Sequence, residues 1–270
     1  MRRLSGVAGR RKALVGALAF TAVLTLSGCG QLGQTHPRLQ SIAANDTKRW
    51  PNVEPTTEPT PEPEPTEPAV AGPPPCPGGE YQLDVETALA KTGNYGHVDV
   101  DGKQSAGDCA TIITFQKRMG ISPASGAPGP TTRDVAKRIA ATDVSKCPVS
   151  EQATACVDLT HQTFYITKGG LVIVGPTVTR TGMPGWSSPS GSFRIANRNL
   201  REWSVPFSVW MPYWQRFYYG IGLHQTTTYI HNMWAGSHGC INLLPADAKA
   251  AWNLLGVGSL VHLYGRRPGT

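Results

Sequence analysis

Apolar positions follow two different periods along this chain. Between residues 76 and 146 they recur at helical spacing: Leu83, Val85 and Leu89, then Ile112, Ile113 and Phe115, then Val135 and Ile139. Gly- and Pro-rich stretches separate the three groups, which predicts a small, mostly helical unit. From about Cys147 the pattern changes to alternation. Val157 and Leu159 lead into Gln162-Thr163-Phe164-Tyr165-Ile166-Thr167, a Gly169-Gly170 pair, and a second run at 171–174. β-branched and aromatic residues flanking a Gly-Gly turn predict a hairpin. Further strands are expected at 177–180 and 192–195, and an apolar strand ending at His224. One long helix is expected at 245–255, with Asp247 in its first turn and Gly256 as its stop. The implied fold is α+β: a β-rich sandwich with one main helix (147–270), preceded by the helical unit (76–146).

The N-terminal 75 residues carry neither period. A single apolar run, 13–26, follows Arg2, Arg3, Arg10, Arg11 and Lys12. A cationic start and a short apolar stretch form the layout of an export signal, and the run is too short to span a bilayer. From Trp50 to Pro75 proline recurs every few residues among Glu54, Glu58, Glu62, Glu64 and Glu67. Such a segment cannot bury a core and favours extended polyproline II, so it reads as a spacer. Leu26-Ser27-Gly28-Cys29 is similar to a bacterial lipobox. That resemblance implies cleavage after residue 28 (signal 1–28), a lipid on Cys29, and an anchor-plus-linker segment, 29–75. The protein would then face the cell wall from the outer side of the membrane.

Charge changes little once the signal is set aside. The formal charge is +7, and five cations with no acid precede Cys29, leaving +2. No basic patch interleaved with aromatics accompanies it, so nucleic acid is not an expected partner. Of six cysteines, Cys29 is assigned to lipid. Cys76, Cys109, Cys147 and Cys156 can pair in three ways outside the cytoplasm. Proximity favours Cys76–Cys109 and Cys147–Cys156, which leaves Cys240 as the odd thiol.

Cys240 lies at the end of a window holding three of the seven histidines: His224, His231 and His238. A thiol near its ordinary pKa is only ~3% thiolate at neutral pH, so a nucleophilic role needs a base. A neighbouring imidazole supplies one. Gly239 admits close approach of a substrate, and the amides of Gly239 and Cys240 are candidate oxyanion donors. This combination points to acyl transfer through a thioester. A zinc site built from the same residues is the rival, but the spacing fits no common pattern.

The stretch Ser237-His238-Gly239-Cys240-Ile241-Asn242, with His224 sixteen residues upstream, resembles the active-site motif of the L,D-transpeptidases (YkuD type). Ordered landmarks accompany it over 157–264: Gln162, Thr181-Gly182, Ser188-Pro189-Ser190-Gly191-Ser192-Phe193, and Met211-Pro212-Tyr213-Trp214. The resemblance implies that Cys240 is the nucleophile and His224 the base, ahead of His238 and His231. The Gln225 carbonyl would orient His224. Ser237, His238, Gly239 and Asn242 would shape the nucleophile loop, while Met211, Tyr213, Tyr218 and Trp234 would line a peptide groove. No cofactor or metal is implied. The expected partners are donor and acceptor stem peptides of peptidoglycan, joined by 3→3 cross-links. Hydrolysis by the same thiol (an L,D-carboxypeptidase or amidase) and an inactive wall-binding protein are the alternatives. Within 76–146, Val98-Asp99-Val100-Asp101-Gly102, Phe115-Gln116, Gly120-Ile121 and Gly129-Pro130-x-Thr132 resemble a peptidoglycan-binding-like three-helix module. Cys109 and the Ser105-Ala106-Gly107-Asp108 stretch depart from that pattern.

Overall fold

The computed structural model describes residues 76–226 and 228–270. The signal, Cys29 and the proline-rich spacer lie outside the described residues.

Three helices open the described chain: α1 (Gln82–Thr92), α2 (Ala106–Arg118) and α3 (Pro130–Ala141). Ser105 and Asp108 form a reciprocal capping box at the start of α2: Ser105 Oγ accepts from the Asp108 amide, and the Asp108 carboxylate accepts from the Ser105 amide. The stretch that departs from the module pattern thus has a local function, satisfying two otherwise orphaned donors. Pro130 occupies the first turn of α3, where no N–H is required. Val85, Leu89, Ile112, Phe115, Met119, Val135 and Ile139 meet in one core. Leu83, expected among them, is 54% exposed. Cys76 pairs with Cys109, tying the segment before α1 to α2, and Cys147 pairs with Cys156.

Nine strands follow: β1 (Thr154–Asp158), β2 (Thr163–Lys168), β3 (Leu171–Arg180), β4 (Gly191–Arg194), β5 (Asn197–Ser204), β6 (Val209–Tyr218), β7 (Ile221–Gln225), β8 (Ile241–Leu243) and β9 (Leu260–Tyr264), with α4 (Pro245–Leu254) between the last two. They form one sheet in the order β4-β9-β1-β2-β3-β8-β7-β6-β5. The expected sandwich is therefore a single curled sheet. Phe164 and Ile166 of one half, Leu223, Ile241 and Leu243 of the other, and Ala251 of α4 share one core. The join is β3, whose earlier residues pair with β2 and whose last two, Thr179 and Arg180, pair with β8. The two short strands expected at 171–174 and 177–180 are this one strand. Gly175, at φ +81°, carries it through an irregularity in the β2 pairing, and a Cβ there would meet the Phe164 carbonyl at 2.7 Å.

The helices and the sheet meet through named groups. Arg118 makes a two-pronged ion pair with buried Asp247 of α4 (Nη2–Oδ1 2.6 Å, Nη1–Oδ2 3.2 Å), to which Thr177 Oγ1 also donates at 2.8 Å. Arg138 of α3 donates to the carbonyls of His161 (2.7 Å) and Gln162 (2.5 Å). Val178, Ile230 and Leu244 join the helical core. Among the described residues no helix is long and apolar enough to cross a membrane.

Candidate active site

The site is assembled by a parallel strand pair. β7 and β8 run side by side with Leu223 opposite Ile241 and His224 opposite Asn242, and the Thr226 amide extends the ladder to the Leu243 carbonyl. Side chains alternate between the faces of a strand. Leu223, Ile241 and Leu243 therefore enter the core, while His224 and Asn242 face the other way. Cys240 precedes β8 by one residue and shares the face of Asn242. Register alone thus brings Cys240, His224 and Asn242 to one cleft of about 440 Å³.

His224 is held in one tautomer. Its Nδ1–H donates to the Gln225 carbonyl at 2.8 Å, which leaves Nε2 as a proton acceptor. Burial pushes the imidazole below its ordinary pKa, and the Gln225 bond opposes that shift. Cys240 is pushed up to about 11 by burial, with the Gly222 amide pulling the other way. The thiol leans toward the Gly220 carbonyl at 3.9 Å, and that is its hydrogen-bond acceptor among the described residues. Burial thus disfavours the charged form of each group.

The nucleophile loop is built from short polar contacts. Ser237 Oγ donates to the Cys240 carbonyl (2.6 Å) and accepts from the Gly239 amide (3.1 Å). Ser188 Oγ accepts from the Gly182 amide (3.0 Å) and donates to the Gly239 carbonyl (2.7 Å). Gly239 sits at φ +112°, where a Cβ would meet Ile221 at 2.7 Å, so glycine is required. The Gly239 amide is committed to Ser237 and is not available as an oxyanion donor. The Cys240 amide has no partner among the described residues and remains as the candidate.

The other histidines are occupied elsewhere. His238 stacks on Phe207 (centroids 4.0 Å apart) and meets the edge of Trp186 at 4.8 Å, which makes it a wall of the cleft. His231 donates from Nε2 to the Gly120 carbonyl at 3.2 Å, at the end of α2. Of the four residues expected along the groove, Met211 lines the cleft. Tyr213 packs toward Trp252 (6.1 Å), Tyr218 meets the edge of Phe193 (5.1 Å), and Trp234 is 94% exposed. These three lie outside the cleft: Tyr213, at φ +57°, breaks the alternation that would put it on the face of Met211, and the β6–β7 pairing slips between Arg216 and Tyr218. Phe207, Trp210 and Tyr229 line it instead. Trp210 lies on β6 and Phe207 in the turn before it, just ahead of the Met211-Pro212-Tyr213-Trp214 landmark. Tyr229, whose hydroxyl accepts from Asn242 Nδ2 at 2.8 Å, has no counterpart in local pattern.

A single thiol, a tautomer-locked imidazole and an amide-bearing turn define a cysteine acyltransferase. The L,D-transpeptidase catalytic domain (YkuD) matches residues 152–263. A crystal structure of an L,D-transpeptidase from Stackebrandtia nassauensis is 52% identical, covers 72% of this chain and 95% of its own, and superposes with a TM-score of 0.69. An L,D-transpeptidase from Xylanimonas cellulosilytica is 19% identical over 72% of this chain and 99% of its own (TM-score 0.41). One from Mycobacterium smegmatis is 20% identical over 42% and 59% (TM-score 0.39). At these scores the last two have no bearing on the site. No curated protein matches the chain. The protein belongs to the L,D-transpeptidase family and is a cysteine-dependent transpeptidase.

Proposed function

We propose that Cys240 forms a thioester with a peptidoglycan stem and passes it to a neighbouring stem, making a 3→3 cross-link. The observation that carries this reading is the β7–β8 register, which sets Cys240 and His224 on one face with Nε2 left as acceptor. As Sγ attacks the carbonyl of the L-centred third residue of a donor tetrapeptide, its proton passes to Nε2. The Cys240 amide receives the developing oxyanion. The C–N bond then breaks, Nε2 returns the proton to the leaving amine, and D-alanine departs. The side-chain amine of a third residue on a second stem attacks the thioester. Its proton goes to Nε2 and from there to the departing sulfur, so the thiol is restored.

The sequence features outside the described residues complete the proposal. A lipid on Cys29 anchors the chain to the membrane's outer face, and the proline-rich spacer extends it toward the wall. The three-helix unit, by its resemblance to peptidoglycan-binding modules, engages the same polymer. The deciding experiment incubates purified protein with disaccharide-tetrapeptide. Wild type yields cross-linked dimers and free D-alanine, and Cys240→Ala yields neither. Dimers from Cys240→Ala would sink the proposal.

A further inference from the structure

Between β7 and Cys240 the chain leaves the sheet, crosses to the helices and returns. At the far point of that excursion Ile230 is 5% exposed and sits in the same core as Val85, Leu89, Phe115 and Ile139 of α1–α3. The next residue, His231, donates to the Gly120 carbonyl just past α2. The preceding one, Tyr229, has φ +43°, a left-handed conformation that a bulky side chain adopts only under constraint. Its hydroxyl meets Asn242 in the cleft, and the Asn242 Oδ1 is buried with no partner. Arg180 Nε holds the Ile230 carbonyl at 3.1 Å, and Arg267 holds those of Met233 (3.0 Å) and Ala235 (2.7 Å).

We propose that the three helices are the seat of one wall of the cleft, with Ile230 as the positioning residue. Buried among α1–α3, it keeps Tyr229 in its strained turn and so keeps the phenol on Asn242. A residue in that backbone conformation relaxes when its surroundings stop over-determining it. Loss of the Ile230 anchor therefore withdraws Tyr229 from the cleft and leaves Asn242 without its one acceptor. The thiol, supported separately through Ser237 and Ser188, stays in place. The helical unit thereby acts on substrate binding as part of the catalytic body. Helices and sheet falling into one compact unit agrees with this.

The inference rests on the cleft assignment made above, and the test separates the two. In the full-length chain, Ile230→Ala, Ile230→Val, His231→Ala, Tyr229→Phe and the double variant Tyr229→Phe/Ile230→Ala are assayed for dimer formation from disaccharide-tetrapeptide. Circular dichroism confirms that each is folded at the assay temperature, and alkylation of Cys240 by iodoacetamide is timed in parallel. Ile230→Ala should raise KM about tenfold while kcat and the alkylation rate stay within about twofold. Ile230→Val should behave as wild type. Adding Ile230→Ala to Tyr229→Phe should have less effect than adding it to wild type, because both act through one contact. A folded Ile230→Ala with unchanged KM overturns the proposal, as does a parallel loss of alkylation and turnover, which would mean general loosening. If Ile230→Ala does not fold, His231→Ala decides: a KM about threefold higher supports the seat, and an unchanged KM removes it. Dimer formation by Cys240→Ala would instead fail the cleft reading itself.

Discussion

The three-helix unit and the thiol cleft handle polar groups in opposite ways. In the helices buried polar atoms are almost all paired. Gln116 accepts from the Gly126 amide (2.9 Å) and donates to Ala127 O (2.8 Å) and Thr132 Oγ1 (3.0 Å). Glu86 accepts from the amides of Asp101 and Gly102, and Asp108 closes its capping box. Around the cleft the pairing is incomplete. Asn242 Oδ1, which lines it, is buried with no partner, and burial disfavours the charged forms of both Cys240 and His224. An unpaired buried group costs stability, and one that lines a cleft beside a thiol is placed to receive a ligand. The helices are built for folding. The cleft is built for an encounter.

The strongest way to break this contrast is to remove the cleft's acceptor. His224→Gln should lower kcat/KM by ~10²–10⁴-fold while leaving stability nearly intact, because the lost function is proton transfer. Steady-state kinetics together with a thermal melt test this. Gln116→Ala should do the reverse. It leaves the Gly126 amide, the Ala127 carbonyl and the Thr132 hydroxyl of a buried network without their partner, and should cost about 2–3 kcal/mol in a denaturant titration. Turnover of the folded fraction should be retained. Arg118→Ala, which strips the partner from buried Asp247, should cost about 2 kcal/mol, less than for a fully enclosed pair because Arg118 is partly solvated.

One further test bears directly on the resting thiol. With the Cys240 thiol raised to about 11, its alkylation by iodoacetamide should climb about tenfold per pH unit from 7 to 9 with no plateau. A neutral-pH plateau would mean a standing ion pair. The same shifts act on stability. A thiol whose folded pKa is raised stabilises fully below the unfolded pKa, and that contribution is lost as pH climbs toward about 11. His224, with its folded pKa depressed, stabilises above about 6.5, and that contribution is lost as pH falls through its folded value.

Much of this was legible in one dimension. The Gly169-Gly170 hairpin, the helix from Pro245 and the reactive stretch ending in Asn242 all follow from contiguous residues, because turn chemistry, capping and helical spacing are local. Local signals also misled. Gly175-Pro176 read as a break, yet the strand runs through it, since pairing on both flanks outweighs the propensity of two residues. Tyr213 and Tyr218 carry the composition of a groove but point elsewhere, because β6 is irregular at both: Tyr213 sits at φ +57°, and the pairing with β7 slips between Arg216 and Tyr218.

By itself the sequence determined the candidates for the chemistry: an odd Cys240, histidines close to it along the chain, a glycine turn beside the sulfur. Three-dimensional structure decided where each histidine sits. His224 lies across a parallel pair from Asn242, while His238 is stacked on Phe207 and His231 is bound to Gly120. It also decided the burial that raises the thiol's pKa and the seating of Ile230 among α1–α3. The physical reason is the same in each case. Burial and pairing are properties of groups distant along the chain, and spacing in sequence carries no record of them.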